Sequence, residues 1–144
     1  MKELRTETEI DAPPEQVWQV LTDFRAYPEW NPFIRSIEGE PKVGSGLKLR
    51  IEQPGGRAMT FKPKVRAAEP ARELRWLGRL LLPGLVDGDH RLALEPLDGG
   101  RSKFIQSERF SGLLIGLLTN TLAATEQGFE RMNEALKRRV EATK

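Results

Sequence analysis

The sequence predicts an α+β fold: a curved antiparallel sheet of about seven strands wrapped around one long C-terminal helix, with two short helices after the first strand. Three observations carry this reading. Residues 3–10 alternate strictly between apolar or hydroxyl side chains and charged ones. The middle of the chain repeats such period-2 runs, separated by proline and glycine turns. The last quarter places Leu118, Leu122, Thr125, Phe129, Met132 and Leu136 at spacings of four and three, a single stripe along one helix face. A sheet with one apolar face and a lone amphipathic helix must bury those surfaces against each other.

Taken in order, Leu4, Thr6, Thr8 and Ile10 face one side of the first strand and Glu3, Arg5, Glu7 and Glu9 the other. Pro13 and Pro14 end it, and Pro14 suits the first turn of a helix, where no N–H is needed. Val17, Trp18, Leu21 and Phe24 recur at helical spacing, and Asp23–Tyr27 reads as a second short helix closed by Pro28 and Asn31-Pro32. Phe33–Glu38 is read as a strand whose inner face stays open, because Ile34 and Ile37 break parity. Leu47, Leu49 and Ile51 form the next inner row. Met59, Phe61, Pro63, Val65 and Ala67 read as one further strand, followed by Leu74 and Trp76 and then by His90, Leu92 and Leu94. Asp98-Gly99-Gly100 signals a hairpin into a last strand with Phe104, Gln106, Glu108 and Phe110 on one face. Short turns throughout imply an antiparallel meander.

At 144 residues the chain fits a single domain, taken as 1–144. It has no cysteine, which excludes disulfides, thiolate metal sites and thiol nucleophiles, and its single histidine, His90, excludes a multi-histidine metal site. Lys plus Arg number 23 against 21 for Asp plus Glu, interleaved rather than segregated, so no nucleic-acid partner is expected. The N-terminus lacks a secretory signal. The longest uncharged stretch, Phe110–Thr125, is too short to span a bilayer, and a cytoplasmic location is the expectation. No phosphate loop, Ser-His-Asp set or metal-ligand spacing is present, and no cofactor or metal is implied.

Ile10-Asp11-Ala12-Pro13-Pro14-Glu15-Gln16-Val17-Trp18, then Leu21-Thr22-Asp23-Phe24, then Tyr27-Pro28-Glu29-Trp30-Asn31-Pro32-Phe33 resemble the opening of the SRPBCC superfamily, the START-related, pollen-allergen-like helix-grip proteins. Gly88-Asp89-His90-Arg91-Leu92 and Gln106–Leu114 resemble that superfamily's last two strands and helix entry, so the resemblance spans nearly the whole chain in order. Bacterial members are labelled polyketide cyclase/dehydrase or lipid-transport proteins. The resemblance implies a deep, mainly apolar cavity between sheet and long helix. It is specific for the fold and leaves function open among carriers, cyclases and interaction modules.

Within such a cavity, parity turns His90, Gln106 and Glu108 inward on adjacent strands as one polar cluster. Such a cluster serves either to satisfy its own buried polarity, to orient a ligand head group, or to act as an acid–base pair, with His90 and Glu108 the catalytic candidates. Gln106 stands where histidine is common in similar proteins. Trp30 and Asn31 either wall one end, Asn31 donating to a ligand carbonyl, or form a packing corner with Phe33. Met59, Phe61 and Trp76 make an apolar wall, joined by Leu92 and Phe110 from the strands and by Leu118, Leu122 and Phe129 from the helix.

Seven basic residues (Arg57, Lys62, Lys64, Arg66, Arg72, Arg75 and Arg79) read as a solvated outer face. Two leucine-rich segments, 80–86 and 112–118, fall at one mouth of the cavity, where they either act as gate, transient membrane contact or homodimer interface or simply cap the end of the core. The expected function is binding or transport of an apolar or amphipathic small molecule, such as a lipid, isoprenoid or polyketide-like compound. The alternatives are a cyclase/aromatase-type enzyme using the same cavity, and a protein-interaction module.

Overall fold

The computed structural model describes residues 2–56, 58–80, 86–113 and 119–143. β1 (Lys2–Ile10) leads through Pro13 into α1 (Pro14–Thr22), a 3-10 turn (Phe24–Ala26) and α2 (Tyr27–Trp30). β2 (Ile34–Glu38), β3 (Lys48–Glu52) and β4 (Ala58–Phe61) follow, then β5 (Lys64–Glu69), β6 (Glu73–Leu80), β7 (Val86–Leu97) and β8 (Arg101–Ser111), and last α3 (Thr119–Glu141). The expected α+β helix-grip architecture is therefore present.

Every strand pairing is antiparallel. One sheet runs β1-β8-β7-β6-β5 and the other β2-β3-β4. They form one wrapped surface, because the chain leading into β3 pairs with the start of β5: Leu47 N donates to Pro63 O at 2.8 Å and Val65 N to Ser45 O at 2.9 Å.

This corner corrects the single strand expected over Met59–Ala67. The run divides at Lys62-Pro63 into β4 and β5, giving eight strands rather than about seven. Proline has no N–H for the ladder, so the chain changes partners there. The inner parity nevertheless survives the break: Pro63 and Val65 are buried while Lys62, Lys64 and Arg66 are exposed. A second irregularity resolves β2. The register between β2 and β3 shifts between Ile34 and Ser36, and this bulge lets both Ile34 and Ile37 point inward.

From Leu122 to Leu136 the helical stripe is buried as its spacing required. Phe129, Met132, Leu136 and Val140 of α3 share one core with Ile10, Leu92, Leu94 and Phe104 of the sheet and with Val17 and Leu21 of α1. At the C-terminal end of α3, Glu141 Oε2 accepts from Asp11 N at 2.9 Å and from Lys137 Nζ at 2.7 Å, tying the helix to the end of β1. No described helix is long and apolar enough to cross a membrane. Of the two leucine-rich segments, 81–85 and 114–118 lie outside the described residues. Leu113 beside them is 86% exposed.

Candidate functional site

β6, β7 and β8 deliver their inner side chains in registered rows. Trp76 pairs with His90 and His90 with Glu108; one step further along, Gly78 pairs with Gly88 and Gly88 with Phe110. The first row fills space and the second leaves it. Two facing glycines on the inner face open a cavity against α3, lined by Phe33, Leu49, Ile51, Phe61, Pro63 and Trp76, with Gly78 and Gly88 at its floor. Gln53, Thr121, Thr125, His90 and Glu108 supply its polar groups. The volume open to the centre of a water molecule is about 100 Å³.

His90 is 2% exposed and is held on every side. Its ring lies 4.9 Å from that of Trp76 and 5.0 Å from that of Phe129, centroid to centroid. Nδ1 faces Glu108 Oε1 at 3.4 Å. Nε2 is 2.8 Å from Gln106 Oε1. From there a chain of side chains crosses to the helix: Gln106 Nε2 donates to Asn133 Oδ1 at 2.8 Å, and Asn133 Nδ2 donates to Thr6 Oγ1 at 2.8 Å. Thr6 Oγ1 donates in turn to the backbone carbonyl of Gln106 at 3.2 Å. Gln106 is fully buried and Asn133 nearly so, so these bonds meet a need that water cannot reach. At the far side of the cavity, Gln53 Nε2 donates to Thr125 Oγ1 at 2.9 Å, and Thr125 donates to Thr121 O at 2.8 Å. Gln53 Oε1 is buried and has no partner among the described residues.

Of the residues expected to form the wall, Phe33, Phe61, Trp76, His90 and Glu108 line the cavity. The polar trio of His90, Gln106 and Glu108 is brought together as parity required. Leu92, Gln106, Leu122 and Phe129 are buried, but they stand behind the lining. Phe110 is half-buried beside Gly88. Leu118 lies outside the described residues.

Three expectations are corrected. Met59 keeps the inward parity, pairing with Ile51, but β4 is an edge strand, and its side chain is 50% exposed. Asn31 is buried with its carbonyl committed to the turn: Oδ1 accepts from Phe33 N at 2.9 Å and from Ile34 N at 2.8 Å. Trp30 is half-buried and stacks edge-on against Tyr27 at 5.1 Å. Both belong to the packing corner and neither lines the cavity. Sequence reasoning also missed Gln53, Gly78, Gly88, Thr121 and Asn133. For Gly78 and Gly88 the signal was present, since glycine inside a strand marks a place where something approaches the backbone closely.

The outer sheet face carries a polar groove between Glu3, Arg5, Glu73, Arg75, Asp89, Arg91, Ser107 and Arg109. Its guanidinium groups are paired there: Arg75 with Asp89 at 2.8 Å, Arg109 with Glu3 at 2.8 Å, Arg5 with Glu7 at 2.7 Å, and Arg91 with Glu73. Exposed pairs of this kind neutralise one another and contribute little each.

Known proteins share this architecture. The Zhui aromatase/cyclase of Streptomyces sp. R1128 superposes with a TM-score of 0.79 at 17% identity, over 97% of this chain and 93% of its own. A START superfamily protein from Mycobacterium smegmatis gives 0.76 at 21% identity, over 99% of each chain. Norcoclaurine synthase from Thalictrum flavum, in complex with dopamine and hydroxybenzaldehyde, gives 0.75 at 17%, over 99% of this chain and 88% of its own. At such identities the likeness is one of fold. Among curated protein sequences no match is found. The family model described as polyketide cyclase/dehydrase and lipid transport matches residues 1–141. With nearly every residue accounted for by that match, and with a helix gripped by a curved sheet over an apolar cavity, the chain belongs to the polyketide cyclase/dehydrase and lipid transport family.

Proposed function

We propose that the protein binds an apolar or amphipathic small molecule in the cavity between the sheet and α3. The observation that carries this reading is the cavity's composition: an apolar wall of Phe33, Leu49, Ile51, Phe61 and Trp76 closed by a small number of converging polar groups. Such a site gains affinity from apolar burial and orientation from the polar groups. Native mass spectrometry of the protein as purified tests the reading. A co-purifying mass that dissociates on gentle denaturation is the expected result. Bare protein, together with no thermal stabilisation by any small apolar probe, overturns it.

One observation favours a second reading, an enzyme of the cyclase/aromatase type. His90 Nδ1 and Glu108 Oε1 face each other at 3.4 Å on the cavity wall, an imidazole and a carboxylate positioned to move a proton. Glu108→Gln separates the two readings once a substrate is in hand. A binding protein keeps its affinity with altered preference among head groups, and an enzyme loses turnover while still binding.

A further inference from the structure

We infer that the cavity selects a neutral hydroxyl compound, an apolar alcohol or phenol that donates a hydrogen bond, over ethers, carboxylates and amines of the same shape. The inference rests on the binding reading above and gives it a chemical class. It starts at the far end of the buried relay. Thr6 has one hydroxyl proton and spends it on the backbone carbonyl of Gln106, an oxygen that only accepts. Toward the helix Thr6 Oγ1 must therefore accept, and it receives Asn133 Nδ2. Asn133 Oδ1 then receives Gln106 Nε2, and Gln106 Oε1 is left to accept from His90 Nε2, which must carry a proton.

That direction decides what remains at the cavity. With Nε2 protonated, His90 Nδ1 and Glu108 Oε1 need one proton between them, since a bare ring nitrogen facing a carboxylate oxygen at 3.4 Å would be repelled. Either an imidazolium faces a carboxylate or a neutral ring faces a neutral acid. In both cases the pair carries no net charge. In both cases Glu108 Oε2, the oxygen lying over Gly88, has only lone pairs to offer. Across the cavity the buried and unpartnered Gln53 Oε1 is likewise an acceptor. The Thr121 hydroxyl can turn either way and does not change the balance.

The buried Gln53 Oε1, an acceptor without a donor among the described residues, is costly when dry, and a ligand hydroxyl supplies one. An ether of equal shape leaves the acceptor unmet. A ligand carboxylate would face only lone pairs there. An ammonium gains little from a charge-neutral pair and gives up its hydration on entering an apolar cavity.

Calorimetric titration with four para-substituted ethylbenzenes that differ by at most two heavy atoms tests this: 4-ethylphenol, 4-ethylanisole, 4-ethylbenzoate and 4-ethylbenzylamine. 4-Ethylphenol is expected to bind about tenfold or more tightly than each of the others. Its advantage over the anisole is expected to collapse in Gln53→Met or in Glu108→Met, each checked for an unchanged fold by circular dichroism. Because His90 is the chain's one histidine, its 15N resonances in untagged protein are unambiguous, and they should report a protonated Nε2. Equal affinity for phenol and anisole, tightest binding of the amine or the benzoate, retention of the preference in both variants, or a bare Nε2 with the proton on Nδ1 alone would each overturn the inference and leave the binding reading standing. If none of the four probes binds, the inference falls, while the binding reading is decided by the co-purifying mass alone.

Discussion

The ring of Phe33 occupies the space that a side chain at Gly128 would need. A β-carbon built on Gly128 of α3 falls 2.3 Å from Phe33 Cδ1 and 2.4 Å from Cε1. Phe33 is 2% exposed and meets Phe129 edge-on at 5.7 Å, so the ring can yield only toward the cavity it lines. Gly128 is the concession that lets α3 approach the start of β2. Glycine within a helix ordinarily costs about 1 kcal/mol relative to alanine. Here overpacking, at about 1–3 kcal/mol, opposes that gain. Gly128→Ala should therefore lose up to about 2 kcal/mol in urea denaturation. A gain in stability would show that the ring yields.

Phe129 packs α3 against the sheet behind the cavity wall, at 0% exposure and 5.0 Å from His90. Phe129→Ala should cost about 3–5 kcal/mol as a large-to-small change at a site that cannot collapse. Leu113→Ala, on a side chain 86% exposed, should stay within about 0.5 kcal/mol. Denaturation of both variants in parallel checks the contrast, and a cost for Phe129→Ala as small as that for Leu113→Ala would contradict the packing of α3.

Tyr27, the chain's only tyrosine, is fully buried, and its hydroxyl donates to Leu21 O at 2.6 Å. Burial, with a smaller contribution from the Asp23 charge, holds the phenol protonated well beyond the usual range. The folded-state value lies above the unfolded one, so this contribution is fully present below the ordinary phenol value near 10 and is lost as pH rises past it. Tyrosinate absorbance at high pH should thus appear only together with loss of the circular dichroism signal. Tyrosinate forming in an intact fold would show that the ring is open to solvent.

Glu141 gives the opposite sign. Its hydrogen bond from Lys137, and after that the one from the Asp11 backbone, hold the carboxyl below the usual carboxylate range. The folded value is the lower one, so stability is present above the ordinary value near 4.3 and drains as pH falls through the folded value. Glu141→Gln should narrow the difference in Tm between neutral and acidic buffer, read by thermal melts. An unchanged difference would show that the tie to Asp11 contributes nothing.

Local pattern made the frame legible. Strict alternation gave the first strand its faces, the Asp98-Gly99-Gly100 turn joins β7 to β8, and the helical stripe is buried. The polar trio was legible because inward parity on two hairpin-linked strands put His90 opposite Glu108. Apart from Gly78 and Gly88, the cavity-side polar residues that escaped have no local signature. Asn133 meets Gln106 across 27 residues and Thr6 across 127, and a polar residue beside an apolar stripe reads as solvent-facing until its partners are known. Pro63 read as one more alternating residue, although its missing N–H forces the change of strand partner. Gln53 continues the inner row of Leu49 and Ile51 just past the end of β3, where alternation alone does not say whether the chain still faces the cavity.

The glycine opposite Gly78 should behave unlike Gly128. A β-carbon on Gly88 would fall 2.4 Å from Glu108 Oε2 and 3.8 Å from Phe110 Cε1. The first neighbour is the far end of a side chain that is 16% exposed, so it can swing away, and the second distance is an ordinary contact. Alanine also removes the conformational freedom that glycine brings to the unfolded chain. Gly88→Ala should therefore leave stability within about 0.5 kcal/mol of the parent. It should nevertheless move Glu108 away from His90 and take volume from the floor of the cavity. The two effects together should weaken binding of 4-ethylphenol by about tenfold, a loss of about 1.4 kcal/mol, in a protein that melts where the parent does. Titration and thermal denaturation of the same preparation decide the matter. A variant that binds unchanged would move the ligand away from the Gly78–Gly88 floor, and one that unfolds would show that Glu108 is locked as firmly as Phe33.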